Sequence, residues 1–197
     1  MSIVVHELEV RHGDEVLVQV ADLALHPGQP LTIVGESGSG KSLLAHALMG
    51  TIDRTLQVRG HATIDGARTD LGAVGGQRSL WGRVMAMLPQ EPGQALDPTM
   101  RVVHQVGEGL RGSTRGRTSD RVRSEQALDD VGLPGVGSAF PHVLSGGMAQ
   151  RVAFAAAAIG GAPTLIADEP SKGLDPPRPA TRWWRCSFST PTEAARS

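Results

Sequence analysis

A glycine-rich segment near residue 40 contains the residue types that bind phosphate. Its letters, GESGSGKS, fit the pattern G-x-x-x-x-G-K-[ST], and its members are Gly35, Glu36, Ser37, Gly38, Ser39, Gly40, Lys41 and Ser42. Glycines allow backbone N–H groups to face a phosphate chain, and a helix that follows directs its positive dipole end at the same anion. The Lys41 ammonium suits the β- and γ-phosphates, and the Ser42 hydroxyl suits Mg²⁺. The alternative is a glycine-rich turn with a chance Lys-Ser pair. With a predicted strand before it and a predicted helix after it, the segment predicts a nucleoside triphosphate site.

Two adjacent carboxylates follow a second apolar run, at residues 164–167. Asp168 is suited to holding Mg²⁺ through water, and Glu169 is suited to polarising an attacking water molecule. The alternative is a pair of solvent-exposed acids at the end of a strand. Together with the phosphate segment, the pair favours hydrolysis over binding alone.

A third motif, Ser145-Gly146-Gly147, stands at the start of a predicted helix. Bare backbone N–H groups at a helix start can bind an anion. In isolation the motif is weak, because such tripeptides are common in loops. Its position shortly before the two acids makes it a candidate second anion site.

Hydrophobic patterning predicts the elements that position these groups. Alternation predicts strands over 3–10 and 16–20, joined by a turn at 12–14, and further short strands over 59–65 and 84–88. Continuous apolar runs predict buried strands over 31–34 and 164–168. Predicted helices span 42–50, 146–159 and a segment capped by residues 118–120 that ends near 131, before Gly132. A strand, a glycine loop and a helix, followed later by a strand and acids, indicate an α/β sheet that binds phosphate at its carboxyl edge.

Composition narrows the function classes. The 197 residues include 19 Lys+Arg and 20 Asp+Glu, a formal charge of −1, which argues against a basic nucleic-acid coat. The arginines of 111–123 lack interleaved aromatics and are expected to form a solvated face. The single cysteine, Cys186, excludes an internal disulfide framework. No apolar run approaches the roughly 20 residues that span a bilayer. The N-terminus lacks a secretory pattern, so we expect a cytosolic domain.

The motifs, taken in order, resemble those of the ATP-binding subunits of ABC transporters. GESGSGKS is similar to the family's Walker A motif, LSGGMAQR to its signature and TLIADEP to its Walker B motif. Gln90 matches the Q-loop glutamine, and residues 171–175 match the D-loop. The resemblance covers roughly 3–175. It implies an α/β fold with a P-loop NTPase (RecA-like) core, an N-terminal antiparallel β subdomain and an α-helical signature subdomain at about 91–160, all within an ATP-binding domain spanning 1–175.

The resemblance also implies a mechanism that one chain cannot complete. Two such domains would pair head to tail, as identical or different chains, with ATP and Mg²⁺ between them. Ser145, Gly146 and Gly147 would contact the γ-phosphate held at Lys41 of the second subunit. Gln90 would contact the metal and sense the γ-phosphate, Asp168 would hold the metal, and Glu169 would act as general base. Implied partners are transmembrane permease subunits at the cytoplasmic face of the cell membrane and, indirectly, an extracytoplasmic binding protein, with no nucleic acid.

Two shorter segments are similar to one subfamily. Gln90-Glu91-Pro92 is followed by the letters ALDPTM, and FPH precedes the signature, as in importers of peptides or nickel. We therefore expect an importer ATPase for dipeptides, oligopeptides or nickel.

The chain departs from the family pattern at two places. His12 stands where the family usually stacks an aromatic ring on adenine, so stacking and an ordinary exposed turn residue remain alternatives. All seven histidines precede Glu169, so none matches the family's switch histidine after the D-loop. Residues 176–197 change composition abruptly and predict a disordered tail, with the C-terminal part of the core missing. For the tail, the alternatives are a truncated or degenerate ATPase and a native interaction segment. For the function, the alternatives to an importer ATPase are a nucleotide-binding fragment without turnover and a soluble ABC-type ATPase acting on DNA or the ribosome.

Overall fold

The structure, a computed structural model, describes residues 2–73, 75–110 and 117–168. Its strands are β1 (Ile3–His12), β2 (Glu15–Leu25), β3 (Gln57–Ile64), β4 (Ala67–Asp70), β5 (Met85–Leu88) and β6 (Thr164–Ala167). Its α-helices are α1 (Lys41–Met49), α2 (Val102–Glu108), α3 (Arg117–Asp130) and α4 (Gly146–Ala158). Short 3₁₀ segments lie at Gly76–Leu80, Pro92–Ala95, Val136–Ser138 and Pro141–Val143. No helix in these ranges is both long and apolar enough to cross a membrane.

The N-terminal strands form an antiparallel four-stranded sheet in the order β2-β1-β3-β4. This arrangement confirms the strands predicted over 3–10, 16–20 and 59–65, and it lengthens the first two. The turn between β1 and β2 is confined to residues 13 and 14. Strand β4 was not predicted, because its letters ARTD contain no apolar alternation.

A bulge in β1 changes which residues face the core. Ile3 and Val5 are buried before it, whereas Leu8 and Val10 are buried after it. The strand register shifts between His6 and Glu9, and Glu7 has a φ of +51°. The extra residue moves the buried face from odd to even positions, as expected where two residues oppose one across a strand pair.

The second sheet pairs β5 with β6 in parallel, with Met85 opposite Thr164 and Leu88 opposite Ala167. The predicted strands at 84–88 and 164–168 are thus confirmed as strands. However, all four β6 residues are half-buried rather than buried. Within the described ranges, β5 is the single strand paired with β6.

The predicted buried strand at 31–34 is wrong. Residues 31–34 form no strand, and Val34 is 89% exposed. Leu31 and Ile33 are also exposed. A continuous apolar run becomes a buried strand only when neighbouring strands lie beside it, and none of the described strands pairs with this run.

The helices divide between two apolar cores. Helix α1 packs with β1, β3 and Met85 in the first core. Helices α2, α3 and α4 pack with Leu88 in the second. Strand β5 therefore contributes one end to each core. Helix α1 ends at Met49 and is followed by Gly50, which has a φ of +66° and provides the glycine stop predicted for this helix.

The other predicted helices have mixed outcomes. Helix α4 confirms the prediction over 146–159. Helix α3 ends before Gly132 as predicted, but residues 118–120 lie inside its first turn, so the predicted N-terminal cap is wrong. These polar residues are compatible with an N-terminal turn as well as with a cap, so residue type alone did not locate the boundary. Helix α2 was not predicted.

Candidate functional site

The phosphate segment lies between the exposed run at 31–34 and the start of α1. Gly38 and Gly40 have φ values of +82° and +87°, which L-residues with a side chain rarely adopt. Gly40 also packs directly on Val18 of β2, where a Cβ atom would collide with the valine side chain. Strand β2 and helix α1 together therefore position the loop, and residue 40 has to be glycine.

The Lys41 side chain folds back over this loop. Its Nζ donates to the carbonyl oxygens of Gly35 at 2.8 Å and Glu36 at 2.6 Å, and to Ser39 Oγ at 3.2 Å. The ammonium thus lies among backbone groups of the loop at the N-terminus of α1. Ser42 follows it and is half-buried, whereas Ser37 is exposed in the turn of the loop.

Asp168 and Gln90 come to the same edge of the parallel pair. The Asp168 N–H donates to the Leu88 carbonyl at 3.0 Å, so Asp168 directly continues the pairing of β6 with β5. Gln90 lies two residues beyond the end of β5. Asp168 is 8% exposed. The carboxyl end of each strand thus supplies one of the three side chains predicted to hold the metal, the third being Ser42 at the start of α1.

These donors fit Mg²⁺. A carboxylate, an amide and the Ser42 hydroxyl are oxygen ligands, which this ion prefers, and it usually adds phosphate and water oxygens to one or two carboxylates. In the described ranges, no three His, Cys, Asp or Glu side chains cluster closely enough to hold a metal alone.

The signature residues begin α4. The Ser145 hydroxyl accepts a hydrogen bond from the Met148 N–H at 3.3 Å and caps the helix. Gly146 and Gly147 are exposed, and a Cβ at either would meet open space. Helix α4 packs in the second core, whereas α1 packs in the first. The two glycine motifs thus belong to different packing units of the chain.

His12 is an exposed residue at the end of β1. The neighbouring Arg11 stabilises this turn, because its guanidinium donates to the Asp14 carbonyl at 2.7 Å and to Glu9 Oε1 at 3.1 Å. Stacking of His12 on adenine stays a prediction. Glu169, the D-loop at 171–175 and the segment 176–197 lie outside the described residues.

Sequence reasoning missed Gln105 of α2, which holds the loop that follows Gln90. Gln105 is 7% exposed, and its Nε2 donates to the carbonyl oxygens of Asp97 at 2.9 Å and Met100 at 2.7 Å. The same loop contains Asp97 and Thr99. The Thr99 hydroxyl and N–H both donate to Asp97 Oδ1, and these bonds lower the pKa of the Asp97 carboxyl. A glutamine within the mainly apolar letters VVHQV was the sequence feature that could have indicated a buried polar contact.

Two arginines near the signature were also missed. Arg151 Nε donates to the Gly147 carbonyl at 3.3 Å. Arg151 Nη1 donates at 3.3 Å to the carbonyl of Val131, the residue after α3. Arg101 donates to the Ser138 carbonyl at 2.6 Å and lies over the Phe140 ring, 5.1 Å from its centroid. These contacts tie the start of α4 and the segment before it to the other helices.

Comparisons with known proteins agree with the motifs. Residues 18–172 match the family model described as ABC transporter. The chain is 36% identical to a putative peptide import ATP-binding protein of Brucella ovis, covering 84% of this chain and 52% of that protein. It is 40% identical to the oligopeptide transport ATP-binding protein OppD of Lactococcus lactis subsp. cremoris, covering 78% and 47%. It is 37% identical to the dipeptide transport ATP-binding protein DppD of Escherichia coli, covering 87% and 55%.

Solved structures are also similar. CbiO1 of Clostridium perfringens, described as part of the ABC transporter complex cbiONQ, has a TM-score of 0.71 and 26% identity, covering 88% of this chain and 67% of that one. A dimeric ATP-binding cassette in a post-hydrolysis state, bound to ADP and Pi, has a TM-score of 0.73 and 24% identity, covering 89% and 76%. The chain spans about half the length of the curated relatives that it matches.

Proposed function

The chain belongs to the ABC transporter family and has its α/β P-loop NTPase fold, and from that premise we propose that it binds and hydrolyses ATP to energise a peptide importer. The observation that carries the proposal is the position of Lys41. Its ammonium lies in a glycine loop that opens α1, with hydrogen-bond distances of 2.6–3.2 Å to that loop. This arrangement places a cation beside the N-terminus of a helix, whose dipole favours an anion, in a loop whose glycines allow backbone N–H groups to face phosphate.

Each residue of the site has a role that its chemistry supports. Lys41 contacts the β- and γ-phosphates, while Ser42, Gln90 and Asp168 hold Mg²⁺. When bound, the ion neutralises charge on the phosphates. Glu169 accepts a proton from the attacking water. The burial of Asp168 beside the end of β5 favours its metal role, since buried carboxylates require a cation or hydrogen-bond donors.

The signature motif acts on a nucleotide held by a second ATP-binding subunit, identical or different. The exposure of Ser145, Gly146 and Gly147 supports this role, because a neighbouring subunit could approach their backbone N–H groups. Their separation from α1, in a different core, supports the same arrangement. We further propose that residues 91–160 act as a helical subdomain within an ATP-binding domain spanning 1–175.

The relatives support a proposal for the transported class and the membrane partners. The three curated relatives named above are all peptide transport or import ATP-binding proteins. We propose transmembrane permease subunits as direct partners, an extracytoplasmic binding protein as an indirect one, and a peripheral position on the cytoplasmic face of the membrane. Nickel import remains the alternative cargo from the segment after Gln90.

The test measures ATP binding and hydrolysis by the purified chain with Mg²⁺. Lys41→Ala should weaken ATP binding by about tenfold to a hundredfold, because it removes charge-assisted hydrogen bonds to phosphate. Arg54→Ala is the matched control, since it removes an exposed cation outside the loop. Equal ATP affinity in the wild-type chain and Lys41→Ala would contradict the proposed site.

Glu169→Gln separates hydrolysis from binding. We expect it to abolish phosphate release while retaining ATP affinity. If the wild-type chain binds ATP but releases no phosphate, and Glu169→Gln changes nothing, the chain is a nucleotide-binding module without turnover. Stimulation by DNA or ribosomes rather than by permease subunits would instead favour the soluble ATPase.

A further inference from the structure

The hydrogen bonds of Lys41 use its complete donor capacity. An ammonium has three N–H donors and no acceptor. Within the described residues, Nζ has three oxygen acceptors: the carbonyls of Gly35 and Glu36 and the Ser39 hydroxyl. A phosphate oxygen can therefore gain a hydrogen bond from Lys41 only if one of these contacts is given up.

The Ser39 hydroxyl is the contact that is most easily given up. It is the longest of the three, at 3.2 Å, against 2.8 Å and 2.6 Å for the two carbonyls. The carbonyls belong to the backbone, and that of Glu36 also accepts the Ser39 N–H at 3.2 Å. The hydroxyl, by contrast, can leave by rotation about one side-chain bond.

The Ser39 side chain also points into the loop. A Cβ atom built on Gly35 would lie 2.7 Å from Ser39 Oγ, so this hydroxyl lies directly over the first glycine of the segment. In this arrangement it lies beside both Lys41 and Gly35.

We propose that Ser39 is a positioning residue that holds Lys41 in its inward arrangement, and that a polyphosphate replaces its hydroxyl on Nζ when it binds. This inference rests on the proposed nucleotide site and names the side chain that sets its affinity. Removing the hydroxyl strengthens polyphosphate binding, because the contact that must be broken is no longer present.

The first measurement needs no nucleotide. The chain has one other lysine, Lys172, which serves as an internal reference. Acetylation of each amine by a limiting acylating reagent is followed by peptide mass spectrometry. Ser39→Ala should raise the acylation rate of Lys41 relative to Lys172 by about twofold to tenfold, corresponding to loss of one hydrogen bond. Ser39→Thr, which retains the hydroxyl, and Ser79→Ala, an exposed serine outside the loop, should match the wild-type ratio.

The second measurement is the dissociation constant for ADP and ATP by titration calorimetry. Ser39→Ala should tighten both by about twofold to tenfold, while Ser39→Thr and Ser79→Ala should not. Thermal unfolding of each variant checks that the fold is retained.

The outcomes separate the inference from the function on which it rests. An unchanged Lys41 acylation ratio in Ser39→Ala overturns the positioning contact. A raised ratio with unchanged or weaker ADP affinity overturns the exchange with phosphate, and weaker affinity assigns the hydroxyl to direct phosphate binding. A wild-type chain that binds no nucleotide overturns the proposed function, whereas the acylation ratio still tests the contact.

Discussion

Gln105 and Asp97 are joined by two hydrogen bonds that run in opposite directions. The Asp97 N–H donates to Gln105 Oε1 at 2.8 Å, and Gln105 Nε2 donates to the Asp97 carbonyl at 2.9 Å. Since Gln105 is buried in α2, this amide acts as a cross-link between the helix and the loop after Gln90. The segment whose letters are similar to peptide importers is thereby held by a residue outside it.

Replacing Gln105 with leucine should lower the free energy of unfolding by about 1–3 kcal/mol. The change removes three hydrogen bonds between the Gln105 side chain and the backbone of Asp97 and Met100, each worth about 0.5–1.5 kcal/mol. The Asp97 carbonyl still accepts the Met100 N–H at 3.2 Å, which limits the loss. Urea unfolding measures the difference. Gln126→Leu is the control, because Gln126 is exposed on α3, and it should change stability by less than about 0.5 kcal/mol. Equal losses in the two variants would contradict the cross-link.

Gly60→Ala should destabilise the N-terminal sheet by about 2–4 kcal/mol. Gly60 has a φ of +110°, and a Cβ there would lie 2.7 Å from the Glu7 carbonyl oxygen, at the bulge of β1. Gly66→Ala is a matched control: its φ is +85°, but a Cβ would meet nothing within 4 Å. We expect that control to lose only about 1 kcal/mol, from backbone conformation alone. Thermal unfolding distinguishes steric conflict at Gly60 from the cost of a positive φ.

Asp97 should contribute a pH dependence to stability. The Thr99 hydroxyl and N–H hold its pKa below the ordinary value. Its contribution is therefore present above the pKa of the unfolded chain and is lost as pH falls through the lower pKa of the folded chain. As pH falls from about 5 to about 3, the free energy of unfolding of Asp97→Asn should decrease less steeply than that of the wild-type chain. The same slope in both proteins would show that the carboxylate is not favoured by folding.

Asp53 provides an internal comparison for that experiment. The Thr55 N–H and hydroxyl lower the pKa of this carboxyl in the same way. Asp53→Asn should thus reproduce the shallower slope at a site far along the chain from the Q-loop segment. In the double variant, the free energy of unfolding should depend on pH less steeply than in either single variant.

Ser145→Ala should lower the free energy of unfolding by about 1 kcal/mol, independently of any effect on ATP hydrolysis. The hydroxyl caps α4 by accepting the Met148 N–H, and loss of such a cap typically costs that amount. Ser145→Asn keeps a capping acceptor and should restore stability. If Ser145→Asn is stable but impairs ATP hydrolysis, the capping and signature roles of this side chain are distinct.

Local patterning was sufficient where an element depends on its own residues. The glycines at 50 and 132 marked where α1 and α3 end, because positive φ is a local requirement. Alternation located β1, yet it could not show the bulge at Glu7, which depends on Gly60 in another strand. The run 31–34 has the composition of a buried strand, but burial needs neighbouring strands.

The sequence alone predicted the phosphate loop, the two acids after the strand at 164–167 and the signature, since each is a contiguous arrangement of residue types whose chemistry is local. Tertiary structure decided that Gln90 and Asp168 follow the carboxyl ends of two paired strands, and that Gln105 of α2 holds Asp97. Those choices depend on which groups come close after the two cores pack. Spacing along a chain does not report such distances, because pairing and burial are decided between elements that lie far apart in sequence.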